Sequence, residues 1–261
     1  MLLRLKLLYQ SFNHIRLSNF MKKQEIPTMI YGIHPVIELL KAKKRKMQTI
    51  YTTEPEPKAW SEIVPLLPTY VNVKHVTKDA LTKIAQTADH QSVVALAAPF
   101  VIRKKFFDPK NSPFLIMLDG IQDPRNLGAI LRSSYCSGIN GVILTSKSSA
   151  PLNAVALKSS AGLAEHLDIY QTGSIQNAIT ELKDAGYNIY LAALDGKDTT
   201  TVEYELPLCL VIGNEAIGIS KNILGQGTKI RLPQVKSDIS YNASVAAGIL
   251  MFNIAHQKKI I

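Results

Sequence analysis

Three short stretches of the sequence place polar side chains beside glycine or other small residues. They are DPRNLGAILR (123–132), GNEAIG (213–218) and SYNASVAAG (240–248). Arginine binds phosphate and stabilises negative charge, and a carboxylate accepts hydrogen bonds from hydroxyl groups. Small residues allow a ligand to approach the backbone closely. Each stretch therefore has a functional interpretation besides a structural one.

The first stretch predicts a helix over 126–137 with two arginines on one face. Arg125, Gly128 and Arg132 are spaced i, i+3 and i+7 and share that face. The packed face consists of Leu127, Ile130, Leu131 and Ser134. Glycine costs a helix about 1 kcal/mol relative to alanine, so Gly128 indicates close approach of a ligand or, alternatively, of another helix. Asn126 is expected to cap the helix.

The other two stretches have equally plain structural alternatives. Asn214 and Glu215 follow the apolar run LVIG, where Asn214 can cap an ordinary strand-to-helix turn. Ser240 and Asn242 open a helix whose first half is nearly all small residues, and both can be caps. Packing alone explains the small residues. Taken singly, none of the three stretches establishes a function.

Composition narrows the classes of protein to consider. The chain has 261 residues, 46% hydrophobic and 19% charged, which is enough to bury one large or two modest cores. Its formal net charge of +10 favours a polyanionic partner, nucleic acid first, although a merely basic enzyme is the alternative. Two cysteines without zinc-type spacing indicate reduced thiols and no metal site. No apolar run is long enough for a membrane span.

The first 26 residues are interpreted as an N-terminal extension. Residues 1–20 contain three basic residues, no acid and several leucines, which is also typical of an organelle transit peptide. We favour an upstream extension of a chain that starts at Met21, because two serines and three basic residues make a thin presequence. The expected location is the cytoplasm, with mitochondria as the alternative.

The remaining chain is divided into two α/β domains. Residues 27–101 form a small domain, 102–112 a polar linker, and 113–261 a domain of alternating apolar strands and helices. Such alternation predicts a mainly parallel sheet with ligands at the carboxyl ends of its strands. In the small domain the run KAKKRK (41–46) is a candidate phosphate-contacting patch, or otherwise a solvated helix end.

The three stretches, in this order and separation, resemble the three motifs of the SpoU (TrmH-like) RNA ribose 2′-O-methyltransferases. KSSAGLAEHLDIY (158–170) resembles a further segment of that family. MIYGIHPVIELL and HQSVVALAAPF are similar to the start and end of the substrate-binding domain found in its ribosomal RNA guanosine branch. The resemblance covers nearly all of residues 28–258.

The resemblance implies an S-adenosylmethionine-dependent enzyme of the SPOUT class that works as a homodimer. Its catalytic domain is an α/β fold with a trefoil knot, and its substrate is large-subunit ribosomal RNA, methylated at a guanosine ribose. The matching cofactor positions are Gly213, Leu232 and Tyr241. The matching catalytic positions are Asn126, Arg132, Glu215, Ser240 and Asn242. Candidate RNA contacts are Lys43, Lys44, Arg45, Lys46, Arg125 and Lys236.

Two roles are open for Arg132. It can bind the adjacent phosphate and stabilise the developing oxyanion. Alternatively, a site crowded with positive charge favours its neutral form, so that it takes the proton, as has been proposed for the family. Asn126 and Glu215 would then orient Arg132 and the ribose.

Four positions depart from the family pattern. Tyr241 stands where leucine is usual, Lys236 and Ser92 where glycine is usual, and Ala216 where glycine commonly follows the acid. Because cofactor contacts are mostly made by backbone, these changes put the substrate more in question than the activity. Two functions are alternatives to the methylation of ribosomal RNA. The protein can methylate transfer RNA, or it can be an RNA-binding assembly factor without catalytic activity.

Overall fold

The computed structural model describes residues 27–146, 149–236 and 239–261. The predicted N-terminal extension, 1–26, lies outside the described residues. Residues 27–101 form a four-stranded mixed sheet in the order β1-β4-β2-β3, in which β2 and β3 are parallel and the other pairs antiparallel. Its strands are β1 (Thr28–Tyr31), β2 (Met47–Thr52), β3 (Asn72–His75) and β4 (Val93–Ala97). Its helices are α1 (Ile33–Ala42), α2 (Trp60–Ile63) and α3 (Lys78–Ala85).

The second sheet has six strands, all paired in parallel, in the order β10-β8-β9-β5-β6-β7. The strands are β5 (Phe114–Asp119), β6 (Gly141–Thr145), β7 (Ile169–Thr172), β8 (Asn188–Asp198), β9 (Leu208–Gly213) and β10 (Thr228–Arg231). The helices are α4 (Pro124–Cys136), α5 (Ala154–Ser159), α6 (Ile175–Asp184) and α7 (Ala243–Gln257). Strands β5, β6 and β9 are buried along their whole length, as expected when helices cover both faces.

The predicted α/β class with a mainly parallel sheet is confirmed. Helix α5 ends at Ser159, and Ala161 and Gly162 after it adopt left-handed conformations (φ +53° and +84°). A short 3₁₀ turn, Leu163–His166, follows them. The trefoil knot stays a prediction from the family resemblance.

The two sheets share one continuous core, closed at a contact that we call the domain seam (residues 38–45 against 162–168). Buried side chains from both domains, such as Val36 and Leu157, belong to the same cluster. At the seam Arg45 Nε donates to Glu165 Oε2 over 3.0 Å, and both side chains are 2% exposed. Burial of this ion pair fixes how the small domain sits on the large one.

The segment expected to be a polar linker, 102–112, is packed against the large sheet. The Arg103 N–H donates to Ile169 O over 2.7 Å, next to β7. Phe107 is buried against Gly141, and the Arg103 guanidinium lies 4.8 Å from the centre of its ring. Among the described residues, no helix is both long and apolar enough to cross a membrane.

Candidate functional site

The first and second polar stretches meet because their strands are neighbours. Strands β5 and β9 pair in parallel with Asp119 opposite Gly213, so both chains leave the sheet at the same edge. The Asn214 Nδ2 group donates to Gly120 O over 2.7 Å, and the Ser220 N–H donates to Asp119 Oδ2 over 2.7 Å. These bonds hold the two loops together. Asp119 and Gly120 were missed in the sequence, although an aspartate that ends a buried strand is a usable signal.

Side chains from all three stretches form one hydrogen-bonded set, which we call the polar chain (Glu215, Asn126 and Asn242). Asn126 Nδ2 donates to Glu215 Oε1 over 2.9 Å, and Asn242 Nδ2 donates to Asn126 Oδ1 over 3.2 Å. Asn242 also caps α7, since its Oδ1 accepts the Ser244 N–H over 2.9 Å. The cap interpretation of Asn242 is therefore confirmed, and its catalytic role stays a prediction.

Glu215 is held as a carboxylate by its donors. Burial alone would raise its pKa, but the hydrogen bond from Asn126 and those from the backbone N–H groups of Gln122 (3.3 Å) and Asp123 (3.4 Å) outweigh burial. The net effect lowers the pKa of Glu215. A charged acceptor at this position can orient an amide or a ligand hydroxyl but is a poor general acid.

The prediction that Asn126 caps its helix is wrong. Helix α4 begins two residues earlier, at Pro124, and Asp123 is its cap, with Oδ1 accepting the Arg125 N–H over 2.8 Å. Proline has no backbone N–H, so at the first helical position it leaves no donor without a partner. This explains why α4 begins at Pro124 and not at 126. Because Asp123 satisfies the helix end, the Asn126 amide is free to join the polar chain.

The prediction that Gly128 leaves room for a ligand is also wrong. Gly128 is buried, and a Cβ built on it would lie 2.4 Å from Ala156 O and 2.5 Å from Ser159 Cβ. Its neighbour is helix α5, so the glycine serves helix packing. The exposed face of α4 carries Arg125 and Arg132 without it.

A cavity of about 450 Å³ opens beside the polar chain, between β8, the loop after β9 and the segment that leads into α7. All three predicted cofactor positions, Gly213, Leu232 and Tyr241, line it, as do Glu215 and Ser240. Sequence reasoning missed several apolar lining residues: Leu194, Ile212, Ile217 and Ile230. They are ordinary strand and loop residues, and only the folded loops bring them to one cavity.

The predicted arginines lie apart from this cavity. Arg132 is exposed on α4 and is not among the cavity-lining residues. Arg125 is exposed on the same face. Within residues 27–146, 149–236 and 239–261, neither side chain has an ion-pair partner. Lys236 and Ser240 are exposed on either side of residues 237–238, which lie outside the described part of the chain.

The run KAKKRK does not form a uniform basic patch, which corrects the prediction for two of its members. Arg45 is buried in the domain seam, and the Lys44 ammonium bonds Asp168 Oδ1 (2.8 Å) and two backbone carbonyls. Lys43, which ends α1 in a left-handed conformation, and Lys46 are exposed and stay candidate RNA contacts. In the portion of the chain that the structure describes, no cluster of three potential metal ligands occurs.

Comparison with known families identifies the chain. Residues 113–252, more than half of it, match the model of the SpoU rRNA Methylase family. The chain belongs to this family. Residues 29–101 match a second model, described as the RNA 2′-O ribose methyltransferase substrate binding domain. The SpoU methyltransferase fold thus accounts for the large sheet and the accompanying model for the small one.

Individual SpoU/TrmH relatives are similar to this protein in sequence or fold over most of the chain. A protein of Staphylococcus haemolyticus described as a TrmH family tRNA/rRNA methyltransferase is 34% identical over 71% of this chain and 78% of its own length. The relative YacO of Bacillus subtilis, described in the same way, is 29% identical over 88% of this chain and 95% of its own. The crystal structure of an AdoMet-bound rRNA methyltransferase from Sinorhizobium meliloti shares the fold, with a TM-score of 0.75 at 23% identity over 88% of this chain and 87% of that one.

Proposed function

We propose that this SpoU-family methyltransferase transfers the methyl group of S-adenosylmethionine to a ribose 2′-hydroxyl of large-subunit ribosomal RNA, at a guanosine. The observation that carries the proposal is the polar chain at the mouth of the 450 Å³ cavity. It joins all three family motifs beside a cavity of the size of a cofactor site. The SpoU rRNA match and the substrate-binding match support an RNA substrate.

The cavity fits S-adenosylmethionine by the chemistry of its lining. Leu194, Ile217 and Leu232 provide apolar walls for an adenine ring, and the backbone of the Gly213 loop provides hydrogen-bonding groups. The carboxylate of Glu215 at the lining suits a cation, whereas Asp195 is already paired with Lys229 over 2.7 Å. When bound, the cofactor supplies a methyl group on a positively charged sulfur that leaves as a neutral thioether.

The protein side chains have to position the ribose and manage its proton. Glu215, Asn126 and Asn242 form a fixed row of acceptors and donors that can orient the 2′-hydroxyl, and alignment alone supplies several kcal/mol. As the carbon–oxygen bond forms, the 2′-hydroxyl proton passes to solvent water, or to Arg132 where the arginine acts as the base. Arg132, which is exposed and without an ion-pair partner among the described residues, binds the neighbouring phosphate and stabilises the developing charge.

A homodimer completes the proposal, because one face of the catalytic domain is apolar and exposed. Val245, Ile249 and Phe252 recur at i, i+4 and i+7 on α7 and are 48%, 38% and 54% exposed. Tyr135, at the end of the adjacent helix α4, is 45% exposed. A second copy on this face would cover the apolar patch close to the helix that carries Arg132. Light scattering should give twice the chain mass, and Phe252→Glu should give the monomer.

The proposed compartment is the cytoplasm.

The deciding experiment maps 2′-O-methylation in total RNA from cells with and without the gene. One ribosomal guanosine should lose its methyl group, whereas loss at a transfer RNA position would move the substrate and keep the chemistry. Purified protein should then methylate ribosomal RNA from the deletion strain with labelled S-adenosylmethionine. Arg132→Ala should reduce the rate by about 100-fold or more, with unchanged cofactor affinity by calorimetry.

Two results would contradict the proposal. Full activity of Arg132→Ala would remove Arg132 from the mechanism. Failure of the wild-type protein to bind S-adenosylmethionine in calorimetry would favour an RNA-binding assembly factor. Arg132→Lys keeps the charge and loses the planar contact, so it should retain part of the rate if the charge alone stabilises the transition state.

A further inference from the structure

A second cavity, of about 440 Å³, lies where the two domains meet on the side of α3. We call it the seam pocket; it is lined by Lys78, Ala88, Asp89, His90, Gln91, Ser92 and Lys158. Six of these residues come from the small domain, and Lys158 comes from α5 of the large one. Two lysines face one carboxylate, so the lining has an excess of positive charge.

Lys158 is held in the seam pocket without a carboxylate partner. Its Nζ donates to Gln91 Oε1 over 2.6 Å, and no carboxylate lies within ion-pair distance of it in the described residues. Burial lowers the pKa of Lys158, and the charge of Asp89 raises it in part. An ammonium has three donor groups, and two of these remain for a ligand.

The surrounding backbone keeps this position open and adds to its positive field. A Cβ built on Gly32 (φ +95°) would lie 2.4 Å from Lys158 Nζ and 2.9 Å from Gln91 Oε1, so glycine reserves the space. The Ile33 N–H, at the start of α1, donates to the same Gln91 oxygen over 3.3 Å. The Gln91 oxygen thus bridges the ammonium and the positive end of α1, and both add to the positive field of the pocket.

His90 forms the floor of the pocket and is not itself a ligand. It is fully buried, its Nδ1 accepts the Ser92 N–H over 3.0 Å, and its Nε2 bonds Thr82 Oγ1 over 3.0 Å. Burial and the charge of Lys78 lower the pKa of His90, and Asp89 opposes them in part. The ring nitrogen Nδ1 accepts a hydrogen bond and so carries no proton. The cations available to a ligand are the two lysines.

Charges of the seam pocket and of the N-terminal end of α4 both act on Tyr31. Burial raises the pKa of Tyr31, Asp89 raises it further and Arg125 lowers it, so charges from the pocket and from α4 act on the same hydroxyl. Arg125 precedes Asn126 of the polar chain.

We propose that the seam pocket binds a backbone phosphate of the substrate RNA through Lys158 and Lys78, several nucleotides from the methylated ribose. One strand then contacts both domains, and the fixed domain seam sets the spacing between the bound phosphate and the reactive site. The inference rests on the proposed RNA substrate. It assigns Lys78 and Lys158 as binding residues and Gln91 as a positioning residue for Lys158.

The test uses the full-length protein and ribosomal RNA from the deletion strain. Lys78→Gln/Lys158→Gln should weaken RNA binding about tenfold and reduce the slope of log K against log salt by about one, since one phosphate contact contributes about 0.7–0.9. Cofactor affinity should not change. Lys83→Gln is the matched control for Lys78→Gln alone, because each removes one positive charge from α3 and only Lys78 lines the pocket.

Asp89→Asn gives a test of opposite sign. It removes the carboxylate that lines the pocket, so RNA binding should tighten two- to threefold, by about 0.5 kcal/mol. If the Lys158 variant does not fold, Lys78→Gln alone carries the loss-of-binding test, since the Lys78 side chain makes no hydrogen bond among the described residues.

The failure of this inference can be distinguished from failure of the proposed function. A double variant that matches Lys83→Gln in affinity and salt slope, while the wild type methylates RNA, overturns the seam pocket alone. If the wild type binds RNA without methylating it, the proposed function fails, and the binding measurements still decide the pocket.

Discussion

The domain seam and the edge of the large sheet use charge in opposite ways. At the seam, Arg45 and Glu165 are both buried and paired, and Arg45 Nη1 also donates to Ala98 O over 2.8 Å. At the sheet edge, Arg125 and Arg132 are exposed and have no ion-pair partner among the described residues. A buried charge requires a partner, whereas an exposed charge is solvated by water and remains available to bind a ligand. Burial and pairing therefore separate structural arginines from those available to RNA.

The largest expected effect in this comparison of buried and exposed arginines is at Arg45. Arg45→Met should lower the free energy of unfolding by about 3–5 kcal/mol, because it leaves the Glu165 carboxylate buried without a partner. Urea denaturation measures the loss. Methionine keeps the length and apolar character of the arginine stem, so the effect reports the charge and not the volume.

Two further variants make the Arg45 result specific. Arg45→Met/Glu165→Leu should recover most of the stability, since both charges leave together. Lys44→Gln should cost less than about 1 kcal/mol, because its ion pair with Asp168 is partly exposed. An equal loss in Arg45→Met and Lys44→Gln would mean that burial does not distinguish the two neighbours.

The second prediction concerns the buried side of the arginine-bearing helix. Gly128→Ala should lower the free energy of unfolding by about 1–3 kcal/mol, because the new methyl group overlaps Ala156 O and Ser159 Cβ. Gly248→Ala, in α7, is the matched control: its Cβ would meet Ser133 Oγ at an ordinary 3.5 Å. There alanine should stabilise by up to about 1 kcal/mol.

The activity of Gly128→Ala decides between the packing and ligand interpretations. If packing is correct, stability falls and the folded fraction keeps its cofactor affinity. Unchanged stability with lost methyl transfer would instead restore the view that Gly128 makes room for the ribose.

Local sequence patterns were sufficient for much of the architecture. The parallel sheet follows from apolar strands alternating with helices, and its carboxyl edge follows from that topology. The cavity contains Gly213, Leu232 and Tyr241, which the family resemblance indicated by position. Their roles in binding stay predictions.

Long-range pairing was not predictable from local patterns. Arg45 sits in a run of lysines, and its partner Glu165 is 120 residues away, so nothing local marks it as buried. Gly128 looked open because helical spacing assigns a face but cannot show that α5 covers it. The prediction for Asn126 treated Asp123-Pro124 as a break in the chain, whereas Asp123 caps the helix and Pro124 is its first residue.

The third prediction concerns backbone strain in the seam pocket, where the usual family glycine is replaced by serine. Ser92 has φ +61°, a left-handed conformation that glycine adopts more readily. Ser92→Gly should raise the free energy of unfolding by about 0.5–1 kcal/mol. Ser61→Gly, within helix α2, should have the opposite sign. A loss of stability in both variants would show that the Ser92 side chain contributes more than its backbone costs.

The smallest expected effect concerns Glu215, the negative charge of the sheet edge. Its hydrogen bonds lower its pKa in the folded state, so its stabilisation is present above the unfolded value near 4.5 and is lost as pH falls through the folded pKa. Glu215→Gln should therefore cost at most about 0.5 kcal/mol at neutral pH, since the group is exposed, and nothing in strong acid.

Urea denaturation between pH 7 and pH 3 measures this difference, with Glu203→Gln as the control. Glu203 is also exposed, and its side chain has no hydrogen bond among the described residues. A stability difference for Glu215→Gln that stays constant with pH would show that the carboxylate is not favoured by its donors. Since Glu215 joins Asn126 to the backbone of residues 122–123, a pH-dependent difference would tie the charge to the geometry of the polar chain. The sheet edge would then resemble the domain seam in one respect, because the Glu215 carboxylate is fixed by its hydrogen bonds as Glu165 is fixed by Arg45.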